Sequence, residues 1–139
     1  MSQQEAARIV AIKTGYKMKT VTFPYPPSAN RYWRIFRGRA VHSKAATDYK
    51  KAIRAMVDCQ PTDQTVAIDI TLHPKRNKDG SECKTIIDLD NCLKVTLDAL
   101  QGLAYSNDKQ VRKLSATYGE PLPDGGLTVT VSELPDKRH

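Results

Sequence analysis

Cysteine is scarce in this chain and poorly spaced for structural work: Cys59, Cys83 and Cys92 are an odd number and form no CxxC pair. That excludes a disulfide framework and a zinc knuckle, both of which need paired ligands. Histidine is equally thin, and His42, His73 and His139 are scattered as surface or strand residues rather than gathered as ligands. No run of about 18 apolar residues is present, which excludes a helical membrane span. No Gln, Ser or Gly tract points to disorder. No charged start, apolar centre and small-residue cleavage site mark a signal peptide, so a cytoplasmic protein with no membrane partner is expected.

What remains is an ordinary globular composition with an unusual charge distribution. A chain of 139 residues fits one domain, and at that size roughly two thirds of the unfolded surface is buried, enough for one core. Hydrophobic residues make up 40% and charged residues 27%, proportions of a folded domain. The formal net charge is +7. Between residues 31 and 54, Arg31, Arg34, Arg37, Arg39, Lys44, Lys50, Lys51 and Arg54 face Asp48 alone. A second basic group, Lys75, Arg76, Lys78 and Lys84, follows further on. Such clustering is the electrostatic footprint of a nucleic-acid binder, although a solvated surface can also carry it.

Hydrophobic periodicity divides the chain. In residues 1–17, Ser2 and Glu5 have the spacing of a capping box, and Ala6, Ile9, Val10 and Ile12 suit a short peripheral helix, an N-terminal extension to the domain of residues 18–139. Val21 and Phe23 begin a strand that the prolines from Pro24 to Pro27 end. Ser28 to Asn30 reads as loop, Tyr32 to Phe36 as strand, and Gly38 as a turn into Arg39 to His42, with aromatics facing inward and arginines outward. Ser43 is placed to cap a helix in which Ala46, Tyr49, Ile53, Met56 and Val57 share a face, ending near Cys59 and Gln60. Val66, Ile68, Ile70 and Leu72 alternate as in a half-buried strand, which Pro74 stops. Residues 75–85 read as a mobile basic loop. From Asp88 the period is helical again, with Leu89, Leu93, Thr96, Leu97, Leu100 and Leu103 on one face. Two strands follow, about Val111 to Tyr118 and Leu127 to Ser132, joined through an Asp124-Gly125-Gly126 turn. The expected fold is a small single α+β domain with two main helices packed on one mixed β-sheet.

Within this basic chain, Asp88-Leu89-Asp90-Asn91 stands apart. Asp88 occupies an N-cap position and Asp90 the first helical turn, where orphan N–H groups and the helix dipole welcome acids. Capping accounts fully for Asp88 and partly for Asp90. An Asp-x-Asp pair at a helix start also aims two carboxylates at one concavity, and Mg²⁺ needs only one or two such ligands besides waters and phosphate oxygens. Asp90, Lys94 and Asp98 recur on one helical stripe. Lys94 either bridges the acids or offers positive charge to a phosphate. Asp98 reads as structural, with a place behind the metal ligands left open, and Asp108 as a further ligand or an ordinary turn residue. The segment from Asn30 to Arg39 interleaves aromatics with arginines, a pattern suited to sugar-phosphate contact and base stacking.

Pro24-Tyr25-Pro26-Pro27-Ser28-Ala29-Asn30-Arg31-Tyr32-Trp33, Asp88-Leu89-Asp90-Asn91, Lys94, Asp98 and Asp108 together resemble the RusA family of Holliday junction resolvases, over about Thr20 to Leu134. The resemblance implies a homodimeric endodeoxyribonuclease, dependent on Mg²⁺ with Mn²⁺ as a substitute, that makes paired cuts in four-way DNA junctions. It implies Asp88, Asp90 and Asp108 as catalytic metal ligands with Lys94 as the catalytic lysine. The DNA-binding residues expected are Asn30, Arg31, Arg34, Arg37, Arg39, Lys75, Arg76, Lys78 and Lys84. Two other readings stand beside it: a nuclease for branched DNA in general, and a non-catalytic nucleic-acid-binding protein whose acids only cap a helix.

Overall fold

The computed structural model describes residues 18–57 and 61–135. The expected N-terminal helix, and the expected end of the second helix at Cys59 and Gln60, lie outside these residues. The described residues form a four-stranded sheet, a separate two-stranded hairpin and three helices.

Strand β4 (Val66–His73) is central because its alternation is strict: Val66, Ile68, Ile70 and Leu72 are buried. On one side it pairs antiparallel with β6 (Gly126–Glu133), which pairs antiparallel with β1 (Met18–Phe23). On the other side it pairs parallel with β5 (Val111–Tyr118). A parallel pair needs a long crossover, and residues 74–110, carrying helix α3 (Leu89–Leu100), supply it. Helix α2 (Lys44–Met56) begins where expected, with the Ala46 N–H donating to Ser43 Oγ at 3.2 Å. It buries Ala46, Tyr49 and Ile53. Cys92 is also buried, and burial pushes its thiol up to about 11 despite the opposing hydrogen bond with Thr96.

Three local expectations are corrected. Residues Ala29–Tyr32 form a one-turn helix, α1, because the Ser28 carbonyl accepts the N–H groups of Arg31 and Tyr32 at 3.0 and 2.9 Å. Tyr32 therefore points inward and is fully buried with Ala46 and Val95, while strands β2 (Trp33–Phe36) and β3 (Arg39–His42) form their own two-stranded sheet apart from the main one. The buried stripe of α3 is Cys92, Val95, Thr96, Ala99 and Leu100, with Leu89, Leu93 and Leu97 half-buried at its margins. The helix lies between two partners, the sheet on one side and Tyr32 with Ala46 on the other, so its apolar arc is wider than one stripe. The basic segment expected to be mobile is internally bonded. Arg76 and Glu82 pair through their backbones, Asn77 donates to Ser81 through both its backbone N–H and its side-chain amide, and Arg76 Nη2 donates to the Pro121 carbonyl at 2.9 Å.

Candidate active site

The chain enters α3 through Ile87, and two tyrosines hold that approach. The Ile87 N–H donates to Tyr25 Oη at 3.0 Å, and Tyr118 Oη donates to the Ile87 carbonyl at 3.1 Å. Asp88 then caps the helix, Oδ1 accepting the Asn91 N–H at 2.8 Å and Asn91 Nδ2 at 3.1 Å. These backbone and side-chain bonds from Asn91 hold the Asp88 carboxyl below its ordinary range, so it is ionised at neutral pH. Asp90 extends into solvent with its side chain 78% exposed, and Lys94 Nζ lies 3.5 Å from Oδ2. An exposed pair of that kind is worth under about 1 kcal/mol. Asp90 therefore keeps its coordinating capacity.

Asp98 continues the same stripe and meets different surroundings. Tyr32 Oη donates to Oδ2 at 2.5 Å, His42 Nε2 lies 2.8 Å from that oxygen, and Lys50 Nζ 3.4 Å. Burial alone would raise the Asp98 carboxyl, but the Tyr32 hydrogen bond and the charges of Lys50 and His42 outweigh it and leave the group below its ordinary value. Asp98 thus ties α1, α2 and β3 to α3.

Asp108 opens a short 3-10 turn, Asp108–Gln110, beyond the other end of α3. Tyr105 Oη donates to its Oδ1 at 3.1 Å and to the Leu97 carbonyl at 2.8 Å. The Gln101 amide, its nitrogen turned toward Asp108, reaches both carboxylate oxygens at 3.1 Å. At 1.5 Å rise per residue, the helix places Leu97 about 14 Å from Asp88. The three acids expected to share an ion thus do not meet within one chain, and no group of three His, Cys, Asp or Glu side chains suited to a metal occurs among the described residues. The physical reason is connectivity: Asp88 caps the start of α3, whereas the chain reaches Asp108 only after leaving its end.

Two basic segments are tied to the start of α3. Asn91 Oδ1 accepts the Ala29 N–H at 3.0 Å, which fixes α1 and its exposed Asn30 and Arg31 beside the Asp88 cap. The hairpin that follows carries Arg34, Arg37 and Arg39, all exposed. On the other flank Lys75 Nζ lies 5.4 Å from the centre of the Tyr25 ring, the tyrosine that binds Ile87. Arg76, Lys78 and Lys84 project from this second segment. In the sequence Asn91 and Tyr25 stand only as members of the family-like motifs, with no contact or role of their own expected. Asn91 was findable as a polar residue at the third position of a capped helix; Tyr25 offered no local signal, because its partner lies 62 residues away.

Asp88 and Asp90, ionised or exposed at a helix start, fit a hard cation that completes its shell with water and phosphate oxygens. Asp108 does not fit that ion within the same chain. No helix among the described residues is long and apolar enough to cross a membrane.

A family model described as endodeoxyribonuclease RusA matches residues 24–132. The chain is 29% identical over 119 residues to a crossover junction endodeoxyribonuclease RusA of Escherichia coli, covering 85% of this chain and 97% of that protein. It is 28% identical over 112 residues to the protein of the same description from Enterobacteria phage HK97, covering 80% and 91%. The counterpart in Enterobacteria phage 82 is 27% identical over 115 residues, covering 82% and 93%.

Proposed function

The chain belongs to the endodeoxyribonuclease RusA family, and from that premise we propose that it resolves four-way DNA junctions by Mg²⁺-dependent phosphodiester hydrolysis as a homodimer. The observation that carries the reading is the contrast at the start of α3: two available carboxylates, Asp88 and Asp90, framed by two exposed basic segments. Acids in such a setting repel a phosphate unless a cation lies between them.

Asp88 and Asp90 would hold the ion, with Asn91 fixing the Asp88 carboxylate. Mg²⁺, when bound there, polarises the phosphate and eases ionisation of the attacking water. Lys94, one turn along, places positive charge beside the same phosphate as negative charge builds in the transition state. Arg31, Arg34, Arg37, Arg39 and the Lys75–Lys84 segment hold the flanking strands through their phosphates, with Asn30 beside them.

Asp108, at the far end of α3, joins this set only from a second protomer. A two-fold dimer is also what paired cuts in a symmetric substrate call for. The test is nicking of a synthetic four-way junction with Mg²⁺ or Mn²⁺ by wild type, Asp90→Asn and Asp108→Asn. The wild type is expected to cut and each variant to bind without cutting. Mixing the two variants is expected to restore single nicks, because one of the two composite sites in the mixed dimer is intact. Absence of cutting by the wild type would leave a non-catalytic binding protein.

A further inference from the structure

The β2–β3 hairpin exposes two large apolar side chains that nothing in the fold covers: Ile35, 74% exposed, and Phe36, 50% exposed. Both stand at the last pairs before the turn, Ile35 opposite Ala40 and Phe36 opposite Arg39. The turn is a left-handed pair, Arg37 at φ 52° and Gly38 at φ 73°, the geometry a tight two-residue hairpin needs. Arg37 is the one residue other than glycine at positive φ among the described residues. Around the Phe36 ring the charges converge, with the guanidinium carbons of Arg34 and Arg37 each 5.3 Å from its centroid. The base, by contrast, is clamped. Tyr32 packs edge-on against Trp33 at 4.6 Å, and His42 is fixed by Asp98.

We propose that this hairpin is a wedge, in which Phe36 stacks on a base exposed where the duplex arms meet while Arg34, Arg37 and Arg39 bind the phosphates on either side. The occupant is a polyanion with exposed π-faces. An apolar protein surface would have to bury the guanidiniums, whereas phosphates satisfy them and a base accepts an aromatic face. A closed duplex offers no free base face, so the wedge discriminates branched from linear DNA. Its clamped base fixes the branch point relative to α3, and hence relative to Asp88 and Asp90. This inference rests on the junction reading above and adds the residue that recognises the branch.

The full-length protein would be titrated in EDTA, where no cutting occurs, onto a four-way junction labelled at the branch with a fluorescent adenine analogue, and onto a linear arm with the same label. The wild type is expected to prefer the junction and to change the branch signal. Phe36→Ala is expected to lose about tenfold in junction affinity, together with the branch signal. Its duplex affinity should stay within about twofold, because the phosphate contacts remain. Phe36→Trp should retain both. The inference is overturned if Phe36→Ala weakens junction and duplex alike, if it leaves the junction affinity and branch signal unchanged, or if sedimentation shows that it dissolves a wild-type dimer. A wild type without preference for the junction would overturn the proposed function itself, and this inference with it.

Discussion

Asp90 and Asp98 occupy one stripe of one helix, two turns apart, and face opposite conditions. The Asp98 side chain is 31% exposed and one of its oxygens serves Tyr32, His42 and Lys50. The Asp90 side chain is 78% exposed and meets only a loosely placed lysine. A carboxylate that three side chains from other elements converge on holds those elements together, whereas one facing water has capacity for a cation. Residue type and helix are shared, and the two positions lie only about 80° apart around the axis, so the difference comes chiefly from what tertiary packing brings to each position. At Asp98 that is α1, α2 and β3; at Asp90 it is solvent between two basic segments.

The sharpest way to break this contrast is at the cap. Asp88→Asn should lower junction nicking about a thousandfold, as the loss of a charge that acts on the reacting phosphate would, while gel-shift affinity for the junction in EDTA is retained. Asn91→Ala removes the partner that fixes Asp88 and tethers Ala29. It should weaken Mg²⁺ binding roughly ten- to a hundredfold, as loss of a ligand's hydrogen-bond partner does, measurable as the Mg²⁺ concentration that half-saturates nicking.

Asp98→Ala tests the other side of the comparison. It leaves the buried Tyr32 hydroxyl without its acceptor and should cost about 2 kcal/mol, a fall of roughly 6 °C in thermal midpoint. The sign of its pH dependence follows from the depressed carboxyl. The folded state favours the ionised form, so this stability is fully present above the unfolded value, near pH 4, and is lost as pH falls through the lower folded value. Acid titration of stability should therefore be shallower for Asp98→Ala than for wild type. The smallest expected effect lies in the basic segments. Arg34→Ala should reduce the slope of log affinity against log salt by about one, with linear duplex and junction affected alike, unlike Phe36→Ala.

Much of the fold was legible where side chains impose a period. Val66 to Leu72 alternate without exception and form the central strand, and Ser43 and Asp88 cap the helices expected of them. The errors fall where tertiary contact overrides local pattern. Tyr32 has strand propensity, yet its ring is drawn into the core by Ala46 and Val95, which gives α1 its single turn. Phe36 looks like a core aromatic in sequence, but the hairpin stands off the sheet and leaves it beside Arg34 rather than inward. In the candidate site, the grouping of Asp88, Asp90 and Lys94 was legible because the cap and first two turns of α3 hold all three. The place of Asp108 was not, since it depends on where the chain emerges after α3, and neither was the Tyr25 contact with Ile87, which spans the domain.

The most direct test pairs Asp90→Asn with Asp98→Ala, reading junction nicking with Mg²⁺ and thermal midpoint on the same preparations. The expected result is that Asp90→Asn melts with the wild type and does not cut, while Asp98→Ala melts lower and, below its transition, cuts. The reverse pattern, a cutting Asp90→Asn and an inactive but fully stable Asp98→Ala, would contradict the assignment of chemistry to the start of α3.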